Sequence, residues 1–112
     1  MENIYMVRGD TIFFTLEIED LDTDLTAAYL SCKKNKDDTE YVFQKSLGDG
    51  IEKTSTTETG RTYRVTVDAD DTKNLDEGHY YYDLQVEVDD YVFTPLIGLL
   101  KIEKDVTVEW EW

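Results

Sequence analysis

The sequence predicts an all-β chain, folded as an antiparallel sandwich of about seven strands. Three observations predict it. Apolar residues alternate with polar ones at period two along most of the chain, and helical periodicity is almost absent. Turn-forming residues punctuate the alternating runs at regular intervals. Third, Asp76-Glu77-Gly78-His79-Tyr80-Tyr81-Tyr82 leads directly into the alternating run from Asp83 to Val88. That order of an acidic residue, glycine, tyrosine and a strand-opening buried position is a tyrosine corner, the device that opens strand F of immunoglobulin-like sandwiches. Gly78 permits the tight turn, and Tyr80 pins it through a phenolic hydrogen bond to nearby backbone. Tyr82 stands where antibody domains carry a cysteine. The sandwich is therefore expected to be immunoglobulin-like.

Each element follows from its residues. Asn3 to Val7 reads as a short first strand, ended by a turn at Arg8-Gly9-Asp10. Thr11 to Glu19 sets Ile12, Phe14, Leu16 and Ile18 on one face, and Phe13 breaks the pattern as the cover of a sheet edge or of the end of the core. After an acidic loop, Asp20 to Thr26, the strand Ala27 to Lys34 carries Ala28, Leu30 and Cys32 inward. A charged turn, Asn35 to Thr39, leads into Glu40 to Ser46, and Gly48-Asp49-Gly50 interrupts the ladder. The Thr- and Ser-rich stretch from Ile51 to Thr59 reads as a ragged edge strand or a loop. Thr62 to Asp68 alternates cleanly with Tyr63, Val65 and Val67 inward, and Asp70 to Leu75 winds one helical or 3₁₀ turn. His79 to Val88 is the longest strand and turns at Asp89-Asp90 into the last, where Pro95 and Gly98 predict a bulge or kink.

The C-terminal segment, residues 106–112, forms its own unit after a sandwich of residues 1–105. Val106, Val108, Trp110 and Trp112 fall on one face at period two, with Thr107, Glu109 and Glu111 opposite. Tryptophan buries a large area with few rotatable bonds and is enriched in interface hot spots. These four residues are the candidate interface, either as an arm that docks on a neighbour or as a last strand completing the chain's own sheet.

Size and charge bound the function. A chain of 112 residues is one domain with a single modest core. The one cysteine, Cys32, excludes an intrachain disulfide, which fits a reducing compartment. No apolar run reaches membrane-spanning length, and Met1-Glu2-Asn3 lacks the order of a signal peptide, so the chain is expected to be made in the cytoplasm. The formal net charge is −15, divided unevenly as −5 over residues 1–64 and −10 over residues 65–112. Such a surface repels nucleic acid and anionic membranes, so neither is expected as a partner.

Catalytic, cofactor and metal chemistry is expected to be absent. His79 is the one histidine and faces away from the core, while Cys32 sits on a buried phase, so a Cys–His dyad is not expected. One Cys and one His give no zinc ligand set. Asp20, Asp22 and Asp24 repeat the opening rhythm of a calcium loop, but Leu25 and Ser31 stand where an EF-hand needs glycine and glutamate. Asp68, Asp70 and Asp71, or Asp89 and Asp90, stay candidates for a loose calcium site. Arg8-Gly9-Asp10 spells an integrin-binding tripeptide, for which a turn is the better explanation. Lys33, Lys34, Lys36 and Lys45 are the basic cluster, gathered around one hairpin.

Several local patterns together resemble a known family. They are Arg8-Gly9-Asp10-Thr11 before a strand, Asp24-Leu25-Thr26 before Ala27-Ala28, and Asp71-Thr72 with Leu75, Gly78, Tyr80 and Tyr82-Asp83-Leu84-Gln85. Thr94, Gly98, Leu100, Ile102 and Asp105-Val106-Thr107 complete the set. Taken in order, over about residues 7 to 107, they resemble the N-terminal domain of upper baseplate proteins of tailed phages and related small virion proteins. The resemblance implies an immunoglobulin-like module in a virion, attached to other virion proteins or to copies of itself. Two other readings stand beside it. A small acidic mimic of DNA would block a host nucleic-acid-binding enzyme, and an adhesion or carbohydrate-binding module would use exposed aromatics.

Overall fold

The computed structural model describes residues 2–106. Its strands are β1 (Ile4–Val7), β2 (Ile12–Glu19), β3 (Ala27–Lys33), β4 (Phe43–Leu47), β5 (Gly50–Thr56), β6 (Gly60–Val67), β7 (Gly78–Val88) and β8 (Tyr91–Glu103). One helical turn, α1 (Ala69–Thr72), lies between β6 and β7. The strands form one ladder in the order β1-β8-β7-β3-β4-β5-β6-β2. β1 and β2, joined through the turn at residues 8–11, stand at its two ends unpaired with each other, so the ladder stops just short of a closed barrel.

The all-β expectation holds, with two corrections. The sheet is mixed rather than wholly antiparallel, because β1 runs parallel to β8 and β4 parallel to β5. Among the described residues there are eight strands, because the polar stretch after Gly50, expected as a ragged edge strand or a loop, is a strand inside the ladder, its register shifted between Lys53 and Ser55. Only Ile51 of that strand is buried, so period two left almost no apolar trace in its sequence. Both its neighbours pair with it, β6 extensively and β4 through Ser46↔Gly50 and Leu47↔Ile51.

The inward faces meet in one core. Leu30, Cys32, Leu84 and Val86 come from the adjacent β3 and β7, and Ile51, Tyr63, Val65 and Val67 from β5 and β6. Phe13 lies on the outer face of the end strand β2, two thirds exposed beneath the Arg64 guanidinium, 5.9 Å from its ring centroid. The expected bulge near Pro95 is present as a register shift opposite Leu84 and Val86.

Gly98 has a different task. A Cβ there would sit 1.8 Å from the Glu2 carbonyl oxygen, because the chain before β1 crosses β8 at this point. The crossing is fixed by the Glu2 amide donating to Ile97 O at 2.9 Å and the Tyr82 hydroxyl donating to Glu2 O at 2.6 Å. Gly98→Val is therefore expected to lift the N-terminal segment off β8 and cost about 2–4 kcal/mol through overpacking and lost hydrogen bonds. Chemical denaturation measures the loss, and faster amide exchange in residues 4–7 locates it.

Candidate binding face

The turn between β1 and β2 anchors the base of the C-terminal segment. Gly9 takes φ +81, the Asp10 amide donates to Val7 O at 3.1 Å, and the Gly9 amide donates to the buried Thr72 hydroxyl at 2.9 Å. Arg8 reaches across, donating from Nε and Nη2 to Asp105 Oδ1 at 3.1 and 2.9 Å and from Nη1 to Leu75 O at 3.3 Å. Arg8-Gly9-Asp10 is thus a structural tie whose arginine and glycine do the holding. Val106 follows Asp105 directly and is almost fully exposed. Val108, Trp110 and Trp112, the other candidate interface residues, lie outside the described residues.

At the tyrosine corner, Tyr80 Oη donates to Asp76 O at 2.7 Å and Gly78 adopts φ +142. Lys34 caps the corner, its ammonium 4.5 Å from the Tyr80 ring centroid and 3.3 Å from His79 O. His79 itself is exposed.

The feature that sequence reasoning missed lies on the outer face of β4, β3, β7 and β8. Residues of opposite phase to the core point outward there, and the strand register sets them in rows. One row is Gln44, Ser31, Asp83 and Ile97; the next is Lys33, Tyr81 and Leu99; on the other side Tyr29 pairs with Gln85. Tyr29, Tyr81 and Ile97 are all more than a third exposed, and Tyr41 from the β3–β4 connection joins them at nearly half. Together they line an open groove of about 800 Å³. Gln44 Nε2 donates to Ser31 Oγ at 2.9 Å, which ties together two polar side chains that line it.

The basic cluster divides. Lys33 and Lys36 border this groove, each with its ammonium 5.3 Å from a ring centroid, that of Tyr41 and of Tyr81 respectively. Lys45 shares the inward phase of Phe43 and is buried, with Nζ 3.2 Å from Asp68 Oδ2 and 3.1 Å from Asp71 Oδ2. Burial lowers the Lys45 pKa, but the hydrogen bonds to Asp71 and Asp68 outweigh it and the net shift is upward.

Of the carboxylates weighed for calcium, Asp24, Asp68, Asp70 and Asp71 are turned toward cations of the chain. Asp24 accepts from Lys53 and Arg61, which hold its pKa below the ordinary value, and Asp70 pairs with Lys73 to the same effect. Among the described residues, no three His, Cys, Asp or Glu side chains converge as a metal site.

No protein-family model matches the chain, and no curated protein matches it.

Proposed function

We propose that the protein is a non-enzymatic structural module of a phage or prophage particle, at the baseplate or tail, working by protein–protein assembly through an immunoglobulin-like sandwich. The observation that carries the assembly reading is the outer face of β4, β3, β7 and β8. Rigid tyrosines, Ile97 and a few fixed polar groups together have the composition of an interface core bordered by charge. On the sandwich reading, β4-β3-β7-β8-β1 is one sheet and β5-β6-β2 the other, meeting at the two-residue β4–β5 contact. Resemblance of the sequence patterns to upper baseplate domains supplies the virion context. The segment from Val106 to Trp112 serves as a second contact, and the acidic loops tune partner choice and association rate.

A second reading, glycan binding, is favoured by the same face, since tyrosine rings flanked by Gln44, Gln85 and Ser31 suit stacking and hydroxyl recognition. The DNA-mimic reading gains nothing from it, because Lys33 and Lys36 interrupt the negative surface a mimic needs.

The test is incorporation. Purified particles from the producing host should contain the protein, and the Tyr29→Ser, Tyr81→Ser double variant should fold normally yet drop from particles by at least about tenfold, as loss of hot-spot residues predicts. Expression without any incorporation of the wild-type chain sinks the assembly reading. Retention of cell-wall polysaccharide by the wild type, lost in the double variant, would favour the glycan reading.

A further inference from the structure

Ladder ends are where a sheet recruits a partner, and among the described residues this ladder offers two open stretches. Beyond the segment that β1 covers, residues 91–96 of β8 have no strand on their far side among the described residues. That stretch is blunted by Pro95 and a bulge, devices that block edge pairing. β2 has no such guard. Residues 12–19 contain no proline, glycine or lysine, and their register with β6 is unbroken. Its inward side chains are also incompletely covered. Ile12 and Phe14 are only half-buried, whereas Val67 and Val65, opposite them on β6, are at most 2% exposed. Ile18 is half-buried as well.

We infer that β2 pairs antiparallel with β2 of a second copy, about a two-fold axis at Thr15. The sequence of the strand is self-complementary in that register. On the inner face Ile12 meets Ile18 and Phe14 meets Leu16 of the second copy, covering the half-buried side chains. On the outer face Thr15 meets Thr15, and Phe13 meets Glu17. Arg64 already lies over Phe13 and opposite Thr15, so Glu17 of the second copy arrives beside that guanidinium. Symmetry makes the ion pair twice, and no glutamate of β2 faces another. Moving the axis to Leu16 would set Ile12 opposite Asp20, moving it to Phe14 would set Ile18 opposite Asp10, and moving it to Glu17 would oppose the two Glu17 carboxylates directly. The occupant is therefore a second copy in one register, and the surface is separate from the tyrosine face.

Sedimentation equilibrium on the full chain tests this, together with hydrogen exchange. The wild type should be a dimer with slow amides in residues 12–19. Glu17→Arg and Arg64→Glu, both at exposed positions, should each weaken the dimer about tenfold or more, and the double variant should restore it to within a few-fold. Phe13→Ser should weaken it without restoration by either charge swap. The Tyr29→Ser, Tyr81→Ser variant should dimerise like the wild type, so failure here is distinct from failure of the assembly reading. A monomer at all concentrations overturns the inference. So does a dimer whose single charge swaps are additive rather than compensating. A monomer with protected β2 amides also overturns it, and would assign the edge to residues 106–112 of the same chain.

Discussion

Replacing Tyr63 with phenylalanine is expected to destabilise the protein by about 1–3 kcal/mol, the cost of stranding a buried hydrogen-bond donor. Tyr63 sits on β6 between Leu16 of β2 and Lys53 of β5, and it is 1% exposed. Its hydroxyl oxygen accepts the Leu25 amide at 2.9 Å in a buried setting. Leu25 is the buried apolar residue of the loop between β2 and β3, so this bond ties the acidic loop to the core, beside the pairing of Asp24 with Lys53 and Arg61 at the surface. Phenylalanine keeps the ring and its packing but leaves the amide without that acceptor. Alanine removes both, and its cost should be about 3–5 kcal/mol. Urea unfolding of the two variants separates the terms: the Phe loss reports the hydrogen bond, and the difference between the variants reports the ring. A Phe variant within about 0.5 kcal/mol of wild type, the spread of ordinary surface changes, would mean the amide finds another acceptor.

What the sequence made legible was local. Gly78 and Tyr80 lie two residues apart, and Asp76, whose carbonyl accepts the Tyr80 hydroxyl, is four residues from Tyr80, so a single motif contained the corner. Period two placed Leu30, Cys32, Val65 and Leu84 inward because neighbours on the same strand alternate. The Arg8–Asp105 tie spans 97 residues and has no local signature. The tyrosine face was hidden for a related reason. Tyr29 and Tyr81 both occupy solvent-facing phases, but their proximity depends on the β3–β7 register, which joins segments some fifty residues apart. Lys45 did leave a signal, since its phase matches Phe43 and marks it as inward. Grouping it with Lys33, Lys34 and Lys36 by closeness in sequence overrode that phase. β5 lacked the pattern altogether, with one buried side chain in seven residues.

Alkaline pH is expected to unfold the protein, with Cys32 as the leading cause. Cys32 is fully buried, opposite Tyr82 on β7 and Phe43 on β4, and desolvation pushes its thiol from 9.0 up to about 12. Tyr80 and Tyr82 are also raised, first by burial and then by neighbouring acidic groups, and Lys45 is raised by its two aspartates. All four hold their protons more tightly folded than unfolded, so stability falls as pH rises through this range. The Cys32 contribution is complete below pH 9, where the unfolded thiol is also protonated, and is lost progressively up to about pH 12. A rise from 9.0 to about 12 corresponds to on the order of 4 kcal/mol, a large part of the stability of a small domain. Cys32→Ala should be less stable than wild type at pH 8, because it leaves a small cavity. Its urea midpoint should nevertheless fall less steeply between pH 9 and 12, so the two curves converge. The tyrosines and Lys45 are common to both proteins, so subtracting one profile from the other leaves the thiol together with its coupling to Tyr80. Parallel profiles would acquit Cys32 and move the alkaline loss to Tyr80, Tyr82 and the Lys45 ion pairs. A thiol reagent gives an independent check: Cys32 should be inert in the folded protein at pH 8 and react fully in denaturing urea.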